Sequence, residues 1–117
     1  MKGKPGNGSD LLRGNTPALV LAVLQSDPAH GYAIVKRIAD LSEQGLMMKH
    51  GTLYPVLHAL ERDGWVSGEW EHPDGERPRK VYSITDAGRT ELARHTSEWK
   101  RFASTINSVL GVSFEPG

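Results

Sequence analysis

Tyr54, His58 and Arg62 recur at steps of four in the stretch GTLYPVLHALERDGW, whose Leu53, Val56, Leu57 and Leu60 fall at i, i+3, i+4 and i+7. On a helix the two sets take opposite sides, so the leucine side meets a core and the Tyr54, His58, Arg62 row faces outward. A phenol, an imidazole and a guanidinium in one row combine hydrogen-bonding groups with flat surface, which suits contact with base edges in a DNA major groove. Lys49 adds charge at the N-terminal end of this helix, where the dipole and free N–H groups also favour a phosphate. A second group of cations, Arg77, Arg79 and Lys80, crowds the segment GERPRK, and Lys36 and Arg37 form a smaller third group.

Other chemistry finds little support. There is no Gly-rich phosphate loop, no nucleophile elbow and no carboxylate pair in a plausible cleft, so an enzyme is not expected. His30, His50, His58, His72 and His95 lack close ligand spacing, and with no cysteine the chain has neither a thiolate site nor a disulfide framework; no metal or cofactor is expected. Absence of cysteine is compatible with a reducing interior, and the cytoplasm is the expected compartment. The longest apolar run, Pro17 to Leu24, is far shorter than the roughly 20 residues of a membrane span, so a soluble protein without membrane contact is expected. Fourteen basic residues balance fourteen acidic ones, so any binding to a polyanion depends on local charge. At 117 residues the chain has room for one domain.

The elements that must position these groups follow from the pattern. Residues 1–10 are polar and glycine-rich and read as a mobile arm. Thr16 reads as the cap of an apolar helix from Pro17 to Gln25, stopped by Asp27 and Pro28. A second helix is predicted over Gly31 to Leu41, with Tyr32, Ile34, Val35, Ile38 and Leu41 on its apolar face and Lys36 and Arg37 outside. Ser42 to His50, containing Gly45, reads as a connection. Pro55 lacks an N–H and suits a first turn, which places the next helix start near Gly51 or Thr52, with Thr52 as cap. Gly64 supplies a left-handed stop, with Trp65 folding back.

The period then changes to two. Val66 to His72 and Arg79 to Thr85 read as strands joined through Asp74-Gly75, giving a hairpin with a basic returning arm. Thr85 caps a final helix over 86–110, in which Leu92, Thr96, Trp99, Ala103, Ile106 and Leu110 form a stripe widened by Phe102 and Val109. Such a helix is about 37 Å long, more than this domain needs to close its core, so it is expected to pack on a second copy, assisted by Leu19 and Val23.

This order gives a mainly α fold with a small β-hairpin: a winged helix-turn-helix domain over residues 11–85, a dimerisation helix over 86–110 and a tail over 111–117. The Tyr54 helix then serves as the recognition helix, while Arg77, Arg79 and Lys80 on the wing grip flanking phosphates or enter a minor groove, and Lys36 and Arg37 reach phosphate as well. The alternative is a dimeric winged-helix protein-interaction module without DNA binding, for which overall neutrality speaks.

LLRG from Leu11, HGYAIVKRI from His30, GTLYPVLHALERDGWV from Gly51, RKVYSITDAGR from Arg79 and EWKRF from Glu98 together resemble the PadR family of transcriptional regulators, in a short form with one C-terminal helix. The resemblance covers Leu11 to Leu110. It implies a homodimer that binds an inverted-repeat operator in double-stranded DNA and represses transcription. It also implies recognition contacts at Thr52, Tyr54 and His58 and wing contacts at Arg77, Arg79 and Lys80. Trp99 matches a position where some members of that family stack a planar aromatic effector between their C-terminal helices.

Overall fold

The computed structural model describes residues 14–112, and the elements run α1 (Thr16–Leu24), β1 (Ala29–His30), α2 (Gly31–Leu41), α3 (His50–Arg62), β2 (Val66–Glu71), β3 (Arg79–Ile84) and α4 (Asp86–Leu110). The expected arm over residues 1–10, and the tail from residue 113 onward, lie outside the described residues. Helix α1 is the hub. Its Val20, Leu21, Val23 and Leu24 are all buried, and they meet Ile34 and Ile38 of α2, Leu53, Leu57 and Leu60 of α3, and Leu92 of α4 in one core. The cap of α1 is Asn15, not Thr16, which is buried inside the first turn. The helix also ends at Leu24, a residue before the expected limit.

The sheet has three antiparallel strands in the order β1-β3-β2, one more than the expected hairpin. Tyr82 lies at its centre, opposite Ala29 on one side and Gly68 on the other, and is almost completely buried. Directly opposite residues of an antiparallel pair share a face. Gly68 with Tyr82, and Trp70 with Lys80, therefore lie on the face that carries buried Val66.

Helix ends set the angles between elements. Gly64, at φ 81°, turns the chain out of α3, with Trp65 N–H donating to the Leu60 carbonyl and Gly64 N–H to that of Glu61. The same motif ends α2 without glycine: Glu43, at φ 54°, takes the left-handed seat, and Gln44 N–H donates to the Ala39 carbonyl at 2.7 Å. Gly45 in this connection does not have a positive φ. At the start of α4 the Thr85 hydroxyl accepts from Gly88 N–H at 3.0 Å and donates to the Gly64 carbonyl at 2.7 Å, as its position before a long periodic run predicts.

Candidate nucleic-acid interface

Helix α3 begins at His50, earlier than Pro55 suggests, with Lys49 rather than Thr52 as the cap residue and no side-chain capping bond. Pro55 thus sits beyond the first turn, and the Gly51 carbonyl lacks the N–H partner that another residue at 55 would supply. Leu53, Leu57 and Leu60 anchor the helix to the core, with Val56 half-buried beside them. This leaves Thr52, Tyr54, His58 and Arg62 exposed on other faces. Arg62 faces Asp63 in an exposed ion pair at 3.4 Å, while the side chains of His58 and Lys49 make no hydrogen bond or ion pair among the described residues.

Tyr54 is held from two sides. A Cβ on Gly31 would come within 2.6 Å of its hydroxyl oxygen, so only glycine at the head of α2 leaves room for the ring. His50 stacks between Tyr32, at 5.2 Å and 7° between planes, and Tyr54, at 6.3 Å and 27°. The sequence pattern places Tyr32 on the apolar face of α2, but the structure leaves it 67% exposed in this stack. Tyr32 and His50 are thus parts of the site that the sequence pattern misses.

The wing closes the other side. A hollow of about 1030 Å³ lies between α3 and the β2–β3 hairpin, bringing Tyr54 and His58 together with Trp70, Arg77, Arg79 and Lys80. The three wing cations are not equivalent. Lys80 Nζ donates to Glu61 Oε1 of α3 at 2.9 Å, and it sits 5.4 Å from the centre of the Tyr82 ring. That hydrogen bond, more than the opposing effect of burial, holds the Lys80 ammonium above the ordinary lysine pKa. Arg79 faces Glu71 at 3.5 Å and Glu76 at 3.9 Å, both exposed pairs. Arg77 is exposed and makes no hydrogen bond or ion pair among the described residues.

The smaller cationic group falls apart. Arg37 donates to the carbonyls of Val23, Asp27 and Pro28 at 3.2, 2.9 and 3.3 Å, so its guanidinium ties the α1–β1 connection together and is not the surface cation the pattern suggests. Lys36 is exposed but paired with Asp40 at 3.1 Å. A related correction concerns Val23: it is closed inside the domain's own core, away from any outer face. Leu92 is also buried, at the base of a groove between α1 and α4 that Leu19 and Trp99 line higher up. Beyond it Trp99, Phe102, Ile106, Val109 and Leu110 remain exposed along α4, with Ala103 half-buried among them.

A model of the family described as transcriptional regulator PadR-like matches residues 20–94, the span that holds α3, the wing and the root of α4. The chain belongs to the PadR-like family. Over 72 residues it is 42% identical to a transcriptional regulator of Mycobacterium tuberculosis, covering 62% of this chain and 64% of that protein. A PadR family transcriptional regulator from Eggerthella lenta superposes with a TM-score of 0.76 at 35% identity, covering 89% of this chain and 88% of the other. Bacillus subtilis PadR in complex with operator DNA superposes with a TM-score of 0.64 at 25% identity, covering 69% of this chain but 46% of that one. The match to the winged-helix structures of this family extends across the sheet as well as the helices.

Two glycines in the PadR-like segments have a steric reason on this fold. Gly31 of HGY gives Tyr54 its space, and Gly88 of TDAG lets α4 start against the Trp65 backbone, where a Cβ would overlap the Trp65 carbonyl oxygen. One glycine therefore shapes the candidate interface and the other fixes the angle at which α4 leaves the domain.

Proposed function

We propose that this PadR-like regulator is a homodimeric repressor that binds an inverted-repeat operator in duplex DNA and is released by a planar aromatic effector. The observation that carries the reading is the single hollow in which the outer face of α3 meets the wing. Helix α3 enters a major groove with Thr52, Tyr54 and His58 toward base edges, and the wing follows the flanking backbone. The neighbour solved with operator DNA supports duplex binding by likeness of fold.

Dimerisation is supported by α4. Its stripe from Trp99 to Leu110 leaves several large apolar side chains in water, with Phe102 at 55% and Leu110 at 68% exposure, more than a lone domain of this size needs to display. A two-fold pairing of such helices presents two α3 helices to successive half-sites, which is why an inverted repeat is the expected target. The effector is supported by the groove of about 370 Å³ beside Trp99, whose apolar lining includes Leu19, Leu46 and Leu92 and whose volume suits a small ring system.

Genomic fragments selected by the purified protein, then titrated against scrambled duplex, test the reading. Tyr54→Ala and His58→Ala are expected to lower affinity for the selected fragment while leaving weak random binding nearly intact. For the effector, aromatic compounds are expected to quench emission in the wild type and much less in Trp99→Phe. The internal pairing of Lys80 and Arg79 favours one rival, a dimeric protein-interaction module. Flow-through on both heparin and bulk DNA at low salt would decide for it.

A further inference from the structure

The wing carries three cations and one exposed tryptophan, and the geometry separates their roles. We propose that the wing meets DNA through Arg77 and Trp70, and that Lys80 is a strut setting the wing against the recognition helix. This rests on the DNA-binding reading above and refines it at the level of single side chains.

Lys80 is engaged along its whole length. Its ammonium meets Glu61 at 2.9 Å, with the two side chains only 26% and 33% exposed. Its stem fills the space above Gly68, where a Cβ would come within 2.5 Å of Lys80 Cε. Turning Lys80 toward a phosphate would leave the Glu61 carboxylate partly buried and unpaired, and facing the phosphates it repels. The pair joins β3 to α3 directly, so it fixes the angle between the two surfaces that DNA must fit together. Arg79 differs, since its two exposed pairs are long and a phosphate can replace them at little cost.

Arg77 and Trp70 have no such duties. Arg77 precedes Pro78, which restricts it to extended backbone and so constrains the direction in which its Cβ leaves the turn. Trp70 stands opposite Lys80 in the strand ladder, on the sheet face that lines the hollow with Tyr54 and His58, yet 61% of it is exposed. An indole held in water beside an unpaired guanidinium is complementary to a DNA strand, where apolar deoxyribose edges alternate with phosphates. Contact of this kind carries no base information, so it should act on every duplex alike.

The test uses the full chain with a duplex selected from genomic DNA and a scrambled duplex, each titrated over a series of salt concentrations. Arg77→Ala is expected to weaken both complexes and to reduce the slope of log K against log salt by about 0.9 for each wing engaged. Trp70→Phe is expected to remove most of the tryptophan emission change on binding, and Trp70→Ala to weaken both complexes by roughly fivefold. Lys80→Glu alone is expected to lose affinity. Exchanging the charges, Lys80→Glu with Glu61→Lys, is expected to restore affinity and the wild-type slope, because a strut works in either polarity and a phosphate contact does not. The neutral pair Lys80→Met with Glu61→Gln is expected to keep that slope too, and it decides the matter if the exchanged pair fails to fold. The assignment is overturned if Arg77→Ala keeps the wild-type slope, if the emission change persists in Trp70→Phe, or if both folded pair variants show the lower slope. Wild type that binds neither duplex overturns the DNA-binding reading itself, and the wing assignment with it.

Discussion

Gly31→Ala perturbs the recognition surface without altering any group proposed to touch DNA. The new methyl would stand 2.6 Å from the Tyr54 hydroxyl oxygen and 3.0 Å from its Cζ. Ordinary contact needs about 3.5 Å, so the ring tip must retreat by roughly 0.9 Å. A hydrogen bond to a base tolerates only a few tenths of an ångström, so a contact made through Tyr54 is lost or much weakened. With a good base contact contributing about 1 to 3 kcal/mol and the ring able to readjust in part, affinity for the selected operator should fall by about 1 to 2 kcal/mol, roughly 5- to 30-fold. Binding to scrambled duplex, which depends on phosphates, should change little, so the specificity ratio falls by the same factor. Fluorescence anisotropy on both duplexes at one salt concentration, with thermal unfolding alongside, measures these quantities. Adding Tyr54→Phe removes the atom that clashes most, so the double variant should regain thermal stability without regaining affinity. A folded Gly31→Ala protein with wild-type affinity for the operator would refute the placement of Tyr54 in the groove.

Three further outcomes bear on the scaffold. Gly88→Ala forces α4 off the Trp65 carbonyl and strains the Thr85 cap, and overpacking with loss of a cap implies about 3 kcal/mol or more, seen as a melting temperature lower by roughly 10 °C or more. Replacing Ile106 and Leu110 by Glu on the exposed face of α4 should convert a dimer into monomer at micromolar concentration, as read by sedimentation. The hydrogen bonds from Arg94 hold the Glu91 carboxyl below its ordinary value of 4.5, so the charged form is favoured in the folded state and its stabilisation is present above that pH and lost as pH falls through the folded value. Glu91→Gln should therefore melt earlier than wild type at neutral pH, and the two melting curves should converge under acid.

Some local signals are legible because their cause lies nearby, although the caps expected at Thr16 and Thr52 fall instead on Asn15 and Lys49. Gly64 ends α3 because only a left-handed residue allows the Trp65 return bond, and Thr85 caps α4 because its hydroxyl reaches a nearby N–H; both are visible within a few residues. The limits of α2, Gly31 to Leu41, agree with its periodicity for the same reason. What the sequence hides is contact at a distance. Strand β1 is two residues long, too short for alternation to register, and forms only because β3 offers it a partner. Tyr32 scores as apolar and at helical spacing, but its ring has a better partner in His50, which pattern reading leaves in a connection. Arg37 and Lys80 look like surface charge until the carbonyls of the α1–β1 connection and Glu61 of α3 are placed beside them. The steric needs of Gly31, Gly68 and Gly88 are likewise invisible, since the atoms that exclude a Cβ include side chains or backbone from other elements.

Overall neutrality then takes on a physical meaning on the DNA-binding reading. Random binding is almost wholly electrostatic, and its strength follows the number of phosphates a surface neutralises. Here Glu61 holds Lys80, and Glu71 and Glu76 place negative charge beside Arg79, so the wing attracts phosphates less than its cations alone suggest. Such a surface grips arbitrary duplex weakly. Base contacts from α3 are not reduced by these pairs, because hydrogen bonds and ring contacts in the groove depend on fit more than on net charge. Removing wing carboxylates should therefore raise affinity for every sequence while lowering the ratio between operator and random DNA, the opposite of what removing Tyr54 does to affinity. Glu71→Gln with Glu76→Gln isolates this, since neither residue contacts α3 through a hydrogen bond or ion pair. Scrambled duplex is expected to bind more tightly with a steeper salt dependence, and the operator to gain less. Equal gains on both duplexes, or no gain on either, would show that the acidic residues do not set the balance between searching and reading.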